Sequence, residues 1–578
     1  MNSGRGSVEA ARRVGAKSAD EKAHWCIKAL RAIHDGDDLK LDHAVVAFPG
    51  ISSDVAGLAP GSAEHENPIR STLQECINLD CDEKMKEIDL CKDISDQEKK
   101  HRVHGIARIL AQWSPRKRRI GMAAVRTDEG DVITDANEAA DLLISYWKPT
   151  FQEKTIDETS ARKFLEKYAR RFPDMEWIVP FPSFIKLVRG SRDSAPGPDS
   201  IPFAAWRYAP EWAIGILYDV YLAWISGEPL PEGFNVAFLW LLPKGDDESD
   251  ANQSVSREPQ NTRPLSGANT DAKLLAGAFR VVADEAAVMW VNHAQRGFVR
   301  DRKILENVVE VEMVAAAASV DPCNRAALAF FDFAAAFPSI ARAFIFLVLE
   351  IIGIPWFVIA AIRSLCGGNY NYIMFAGIFK FAFCAAAGVR QGCPASAIIF
   401  VIATDPIIMF LRDVAGPSSL VRGYADDIAM VLPRLWELIG PIAAAFDTIA
   451  SVSLLRLKPR KCVLIPLWRD FDVSEVKVAV GSICHAWTAF NVHSHGVYLG
   501  FCVGPGMGSE CWTAPLKKYR ARCQYVFDAK HSLFVTTILY NSLALSVLSY
   551  VSQLRSPPPC VLREKVKQIE KLSRGPAN

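Results

Sequence analysis

The pattern of apolar and polar positions alternates between short strand-like runs and longer helical segments. An early run, "VAFLWLLPKG", predicts a strand that ends near Pro243. Residues 325–340 fit either a strand or a helix by periodicity, but the aromatic residues around Asp332 favour a buried strand that gives way to a turn at Pro338. "LVRGYADDIAMVLP", residues 420–433, predicts a strand, a tight turn and a second strand. Because helices and antiparallel strands are interleaved, the predicted class is α+β.

Other stretches predict loops, caps and further short strands. "SAPGPDSIP", residues 194–202, contains too many prolines for a helix interior and predicts a loop. Asp135 is placed to cap a helix that runs through Trp147. "VKVAV" and "VYLGFCV" predict short strands late in the chain. The first 175 residues are expected to be mostly helical and polar.

One apolar stretch is long enough to span a bilayer: "AFIFLVLEIIGIPWFVIAAI", residues 343–362. Glu350 lies near its middle and Pro355 would break a continuous helix. We therefore expect a buried helix, a turn at Gly353–Pro355 and a second helix, with no membrane partner.

Charge is balanced overall but not locally. The 578 residues are 50% hydrophobic and 23% charged, which is typical of a globular protein with several subdomains. Residues 99–120 contain eight Lys or Arg and no acid, and residues 506–578 contain eleven basic and four acidic residues, a balance of +7. Two basic surfaces on a neutral chain indicate a polyanionic partner, although a solvated helix face fits either run alone.

The fourteen cysteines are scattered without a C-x-x-C pair, and the polar start "MNSGRGSVEAARR" does not resemble a secretory leader. We therefore expect reduced thiols and an intracellular protein, in the nucleus or cytoplasm and not secreted. Cys76, Cys81, Cys91, His101 and His104 are loosely grouped, but their spacing matches no common zinc module.

Three carboxylates are the strongest candidates for chemistry. Asp332 ends one predicted strand, and Asp426 and Asp427 lie at the predicted hairpin turn. If these strands are neighbours, the three side chains converge, and convergent carboxylates favour Mg²⁺. Two Mg²⁺ ions about 3.5–4 Å apart serve in-line phosphoryl displacement. An Asp-Asp pair alone is a weak signal, because a solvated hairpin turn fits it as well.

Residues 181–505 contain an ordered series of blocks: "SAPGPDSIP", "LWLLPKG", "RPLSGANTDAKLLA", "QRGFVRDRKILENV", "FFDFAAAFPSI", "GVRQGCPASAIIF", "GYADDIAMV" and "YLGF". This series resembles the reverse transcriptase of non-LTR (LINE-type) retrotransposons. The resemblance implies a right-hand polymerase with fingers, a palm with an antiparallel sheet, and a helical thumb. It implies a mostly helical, linker-like region at 1–180, fingers and palm at 181–505, and a truncated, thumb-like helical region at 506–578.

The resemblance also implies roles for individual residues. Two Mg²⁺ ions, with Mn²⁺ as the alternative, would be held by a catalytic triad, Asp332, Asp426 and Asp427. Phe337 would press against the sugar C2′ and select dNTPs, since a rigid ring excludes a 2′-hydroxyl. Further residues would contact nucleotide or template: Gln391, Gly392, Arg263 and Lys273, with Lys244 and Arg280 as weaker candidates.

The implied function is an RNA-directed DNA polymerase that takes an RNA template, a DNA primer and dNTPs; the oligomeric state is open. Several positions depart from the family pattern, among them Asp301 in place of Gly, Pro338 in place of Asp, and Ala395 and Ala397. These changes leave a catalytically inactive nucleic-acid-binding relative as an alternative. A third alternative, an RNA-dependent RNA polymerase, is disfavoured by Phe337. The chain is expected to be a fragment of a longer element protein or a standalone relative.

Overall fold

The computed structural model describes residues 122–245, 255–321, 323, 325–529 and 533–573, together with Ala29, Ile88, Ser95 and Glu98. The basic run at 99–120 and the Cys and His group between residues 76 and 104 fall almost wholly outside the described residues. The chain divides into two compact units, one formed by Ile120–Gly508 and one that contains Ser509–Asn578.

Strands of the described residues form four sheets. Their orders are β2-β1-β4, β5-β3-β7-β8, β12-β11-β6-β10-β9 and β13-β14. In chain order the strands are β1 (Met122–Arg126), β2 (Val132–Ile133), β3 (Ala237–Pro243), β4 (Val255–Arg257), β5 (Thr262–Ala268), β6 (Ala327–Phe331), β7 (Tyr370–Phe375), β8 (Ile378–Cys384), β9 (Leu420–Tyr424), β10 (Asp427–Leu432), β11 (Val463–Pro466), β12 (Asn491–Val492), β13 (Gly496–Tyr498) and β14 (Phe501–Val503).

Helices lie between and around these sheets, so the predicted α+β class is confirmed. In chain order they are α1 (Ala136–Phe151), α2 (Glu158–Tyr168), α3 (Phe181–Arg189), α4 (Phe203–Arg207), α5 (Glu211–Ile225), α6 (Thr270–Trp290), α7 (Ile304–Ala318), α8 (Ala336–Ser339), α9 (Arg342–Ile351), α10 (Trp356–Cys366), α11 (Ser396–Ala415), α12 (Leu435–Ser453), α13 (Val473–Ile483), α14 (Thr513–Asp528), α15 (Leu533–Leu539), α16 (Ser546–Ser552) and α17 (Pro559–Ser573).

The five-stranded sheet is the centre of the first unit, and β6 is its middle strand. All five residues of β6 are buried, because helices or loops cover both faces of the sheet. Phe330 stacks on Tyr498 with ring centroids 5.0 Å apart. The next residue, Phe331, points to the opposite face and packs against Phe446 of α12 at 4.6 Å. Burying a phenylalanine in this way contributes about 1.5–3 kcal/mol, so β6 is held rigidly.

The four-stranded sheet β5-β3-β7-β8 has its own core, formed with α1. The predicted cap of α1 is confirmed: the Asp135 carboxylate accepts hydrogen bonds from the backbone N–H of Asn137 and of Glu138, both at 2.9 Å. Trp147 of α1 donates from its indole N–H to Thr262 of β5 at 2.9 Å. Leu239 and Ile373 face the same core. Local capping and burial together position α1 against this sheet.

The long apolar stretch at 343–362 is two helices, as predicted. It falls within α9 and α10, which are separated by Ile352–Pro355. Two other spans, Leu435–Ser453 and Val535–Ser552, are apolar and long enough to cross a bilayer by length and composition. Core helices of globular domains meet the same criterion. The absence of a membrane partner stays a prediction.

One local prediction was wrong, and two were right only in part. "VKVAV" lies in α13 and not in a strand, because the Asp472 carboxylate caps that helix by accepting from the N–H of Glu475 at 2.8 Å. "VYLGFCV" is the hairpin β13-β14, which turns at Leu499 and Gly500, both with positive φ. Pro338 lies inside the one-turn helix α8, a position in the first helical turn where its missing N–H costs nothing.

The described residues at 513–529 and 533–573 are mostly helical. A π-helical turn, Tyr540–Leu545, joins α15 to α16. The buried Tyr519 and Tyr540 hydroxyls lie 3.2 Å apart, and Arg520 of α14 forms an ion pair with Glu564 of α17 at 2.9 Å. The assignment of this segment as a thumb stays a prediction, as do the proposed domain boundaries.

Candidate active site

Strand pairing brings the three predicted carboxylates to one end of the central sheet. Phe331 of β6 lies opposite Ile428 of β10 in an antiparallel ladder. Asp332 follows Phe331, and Asp427 precedes Ile428, so both lie at the same edge. Asp427 also pairs with Tyr424 across the β9-β10 hairpin, which leaves Ala425 and Asp426 as the turn. The predicted hairpin is confirmed.

Burial raises the pKa of all three carboxyls, and negatively charged neighbours add to the rise for Asp426 and Asp427. For Asp427 the pKa rises to about 7, first because its surroundings partly desolvate the carboxyl, although the residue is exposed, and then because Asp426 and Asp332 are negatively charged. Burial also raises the pKa of Asp426, and Asp332 adds to the effect, while Arg263 opposes it. Burial raises the pKa of Asp332, and nearby lysines oppose it. The cluster therefore concentrates negative charge, which a bound cation would neutralise.

The donor chemistry of this cluster fits a hard divalent cation, although a closed metal site is not formed. In the described part of the chain, no group of three or more His, Cys, Asp or Glu side chains is arranged to hold a metal ion. The three aspartates nevertheless offer only oxygen donors, the type that Mg²⁺ prefers. Their pKa values are raised in the absence of a cation, chiefly by burial, and a bound divalent cation would lower them.

Lysines face the carboxylates from two directions. Lys458 lies after α12, and its backbone N–H donates to the carbonyl of Asp332 at 2.8 Å. The pKa of Lys244 falls to about 8, chiefly because of burial, with Lys461, Lys458 and Arg263 also lowering it and Asp332 opposing them. Lys244 was a weak candidate from sequence, whereas Lys458 and Lys461 were missed. Their signal was the basic stretch "LKPRK" just before the apolar run of β11.

Phe337 lies in α8, partly buried, next to the cluster in sequence. Its ring stacks on Phe400 of α11 with centroids 4.3 Å apart, and it meets Phe298 edge-on at 6.1 Å. The Phe337 carbonyl accepts from the N–H of Val389 at 2.9 Å. These contacts fix the ring rigidly, and its role at the sugar stays a prediction.

Gln391 and Gly392 form a tight junction with β5. The N–H of Ser266 donates to the Gln391 carbonyl at 2.8 Å. The Gln391 Oε1 and Ser266 Oγ atoms are buried and have no hydrogen-bond partner. Gly392 has φ +108, and a Cβ there would lie 2.6 Å from the Ser266 carbonyl oxygen, so the position requires glycine. Two orphaned polar atoms suit a site that a polar ligand completes.

The remaining predicted cations do not all reach the carboxylates. Arg263 is exposed on β5, and its charge acts on Asp426. Lys273 donates instead to the Ala195 carbonyl at 2.8 Å and so ties down the "SAPGPDSIP" loop. Arg280 pairs with Asp284 at 3.1 Å on the surface of α6, which makes it an ordinary surface charge. The structure brings Arg263 and Lys244 to the cluster, and leaves Lys273 and Arg280 outside it.

Comparisons with known proteins agree with this geometry. Residues 243–502 match the family model described as reverse transcriptase (RNA-dependent DNA polymerase). The retrovirus-related Pol polyprotein of a type-2 retrotransposable element from Drosophila melanogaster is 22% identical over 330 residues, which cover 56% of this chain and 30% of that protein. The chain thus matches under a third of that relative's length. The resemblance read from the sequence blocks is confirmed: residues 243–502 match the reverse transcriptase model, and over half of the chain is similar to the polyprotein of a retrotransposable element.

Proposed function

We propose that the chain is an RNA-directed DNA polymerase that adds dNTPs to a DNA primer along an RNA template. The observation that carries the proposal is the register of β6 and β10, which puts Asp332 beside Asp427 at one edge of a rigid sheet. Asp426 lies in the adjoining turn. In this arrangement the polymerase has the right-hand form, with the five-stranded sheet as its palm.

Two Mg²⁺ ions, or Mn²⁺ in their place, would supply Lewis-acid activation of the primer hydroxyl and stabilisation of the leaving pyrophosphate. Asp332 and Asp426 would hold both ions, and the more exposed Asp427 would have a peripheral role. On the opposite side, Lys244 and Arg263 would neutralise triphosphate oxygens. Lys244 suits this role because its lowered pKa records a desolvated position near Asp332.

Phe337 would distinguish the sugar of the incoming nucleotide. Its ring cannot swing away, because Phe400 stacks on one face and Phe298 meets it edge-on. A ring held in this way would clash with a 2′-hydroxyl and tolerate a hydrogen. This supports a DNA polymerase over an RNA polymerase.

The test is primer extension on poly(rA)/oligo(dT) with Mg²⁺ and dTTP. We expect the parent chain to extend the primer and Asp426→Ala to abolish extension while the variant stays folded. The matched control is Asp413→Ala, because Asp413 is an exposed aspartate that pairs with Lys167 at 3.2 Å away from the cluster. Extension by Asp426→Ala would contradict the proposal. A folded parent chain that binds the primer–template without extending it would favour the inactive relative.

A further inference from the structure

The turn that presents Asp426 has an unusual backbone conformation. Ala425, the residue before it, has φ 58, in the left-handed region that residues with a Cβ rarely adopt. Ala425 is also buried, with 6% of its surface exposed. A buried turn residue must find partners for its N–H and C=O outside the strand ladder. Something else in the fold therefore has to satisfy and hold this peptide.

A single side chain, Gln295, supplies both partners. Its Nε2 donates to the carbonyl of Ala425 at 3.0 Å, and its Oε1 accepts from the N–H of Ala425 at 2.8 Å. The same Oε1 accepts from the N–H of Gly297 at 2.8 Å. Gln295 itself is fully buried, with 0% exposure. The Gln295 amide offers both a donor and an acceptor, which neither an ionised carboxylate nor an apolar side chain does.

The backbone around Gln295 is fixed against the same hairpin. The N–H of Gly423 donates to the carbonyl of Ala294 at 2.7 Å, and the N–H of Arg296 donates to the carbonyl of Gly423 at 2.9 Å. Gly297 packs so closely that a Cβ there would lie 2.1 Å from the Ala425 nitrogen. Gln295 is thus held by the backbone on either side of it and cannot follow the turn if the turn moves.

We infer that Gln295 is a positioning residue, which locks Ala425 in its left-handed conformation and thereby aims the Asp426 carboxylate at the metal position. Asp426 follows Ala425 directly, so a rotation of that peptide swings the carboxylate with it. The inference rests on the proposed function for its consequence, because it assumes that Asp426 binds metal. The hydrogen bonds that lock the turn do not depend on that assumption.

The first test compares two buried amides that form hydrogen bonds with the same hairpin. Gln295→Met keeps the length of the side chain and removes its hydrogen bonds. Asn307→Leu is the matched control, because Asn307 is also 0% exposed and donates to the Gly423 carbonyl at 3.0 Å without touching Ala425. Mn²⁺ binding is measured by electron paramagnetic resonance on the full chain with a primer–template, alongside the melting temperature and the Mg²⁺ dependence of extension.

Loss of a residue that orients a metal ligand weakens metal binding by about 10–100-fold. We expect a shift of that size in the Mn²⁺ dissociation constant of Gln295→Met and less than about 2-fold in Asn307→Leu, even where both lower the melting temperature. Parental Mn²⁺ affinity in Gln295→Met, or equal shifts in the two variants, would overturn the inference, because stability alone would then explain the effect.

A second variant covers the case in which Gln295→Met does not fold. Gln295→Glu keeps the acceptor and loses the donor, so an oxygen faces the Ala425 carbonyl and repels it. The added negative charge alone would tighten cation binding, whereas a misdirected Asp426 weakens it. We expect weaker Mn²⁺ binding, and tighter or unchanged binding refutes the positioning role.

Hydrogen exchange separates this inference from the proposed function. The amide of Ala425 should be protected in the parent chain and exchange faster in Gln295→Met, whether or not the chain extends a primer. If the parent fails to extend a primer but these exchange and Mn²⁺ results hold, the polymerase proposal fails and the positioning role survives. Equal exchange in the parent and Gln295→Met overturns the positioning role alone.

Discussion

Two clusters of charge flank the β9-β10 hairpin, and they are opposites. At the turn, three aspartates gather and the pKa of Asp427 rises to about 7. Further along the hairpin, Glu310 of α7 accepts two hydrogen bonds from Arg296, each at 2.8 Å, and another from Arg422. These arginines hold the pKa of Glu310 down at about 2. We call Asp332, Asp426 and Asp427 the aspartate cluster, and we call Glu310 with its two arginines the Glu310 cluster.

This difference distinguishes charged groups that stabilise the fold from charged groups that serve a function. In the Glu310 cluster each charge has a partner within the fold, so the cluster stabilises the chain by itself. In the aspartate cluster the charges repel each other, which costs stability unless a ligand compensates. Such a loss of stability is expected at a site where function requires the repelling charges. The two clusters therefore make opposite predictions for activity and for stability.

The largest expected effect is on catalysis. Asp332→Asn should lower primer extension by about 10³-fold or more, because metal ligands supply several kcal/mol to the transition state. Glu310→Gln, a matched carboxyl-to-amide change, should keep the rate within about 3-fold, since Glu310 touches no reacting group. Single-turnover rates at saturating Mg²⁺ provide the measurement. Equal losses in the two variants would erase the distinction between the clusters.

The next prediction concerns Phe337, which lies near the aspartate cluster in sequence and is proposed to select the sugar of the nucleotide. Phe337→Ala should open space at the sugar and reduce discrimination between dTTP and UTP by about 10²-fold, the size of a lost steric clash. The measurement is the ratio of kcat/KM for the two nucleotides. Phe333→Leu is the control, because Phe333 is a buried neighbour that packs against Phe446 with ring centroids 6.0 Å apart. An unchanged ratio in Phe337→Ala would make that ring part of the core only.

The effects on stability should be the reverse of those on catalysis: a change in the Glu310 cluster should destabilise the fold, and a change in the aspartate cluster should stabilise it. Glu310→Gln should lower the free energy of unfolding by about 1–2 kcal/mol, because the mostly buried Arg296 loses its bidentate partner. Asp427→Asn should raise the metal-free stability at neutral pH, since it removes a repelled charge. Urea denaturation in the presence of a chelator measures both. A loss of stability in Asp427→Asn would mean that this aspartate is structurally paired.

The two clusters also predict opposite pH dependences, of smaller size. Because the folded pKa of Glu310 lies below its ordinary value of 4.5, its contribution is present above that pH and lost as the pH falls toward about 2. The folded pKa of Asp427 lies above its ordinary 3.8, so its contribution is lost as the pH rises from about 4 through about 7. Metal-free unfolding curves of the parent, Glu310→Gln and Asp427→Asn across this range separate the two slopes. The same dependence of the free energy of unfolding on pH in the two variants would contradict the opposite pH dependences assigned to Glu310 and Asp427.

Much of this could be predicted from the sequence, because it depends on local patterns. The apolar runs around Asp332 and Asp426 predicted the strands, and Asp135 predicted a helix start. The prediction failed where the local pattern is ambiguous. "VKVAV" suits a strand by composition, yet the Asp472 cap favours a helix. Asp301, which stands in place of the family's Gly, has φ 66, a left-handed conformation that aspartate tolerates.

The partners of the site could not be predicted, because they come from distant parts of the chain. Lys458 meets Asp332 only because β11 pairs with β6. Gln295 reaches Ala425 across 130 positions, through a bridge with Gly423 that no periodicity announces. A sequence pattern identifies the carboxylates, and the fold alone supplies what orients and compensates them.

The most direct test of the central claim is to count bound metal ions. Mn²⁺ binding is measured by electron paramagnetic resonance for the parent chain, Asp426→Asn and Glu310→Gln, each with a primer–template and a non-hydrolysable dNTP. Our account predicts two ions in the parent and in Glu310→Gln, and the loss of at least one in Asp426→Asn. Equal binding in all three, or none in a folded parent, would contradict the assignment of the aspartate cluster as the metal site.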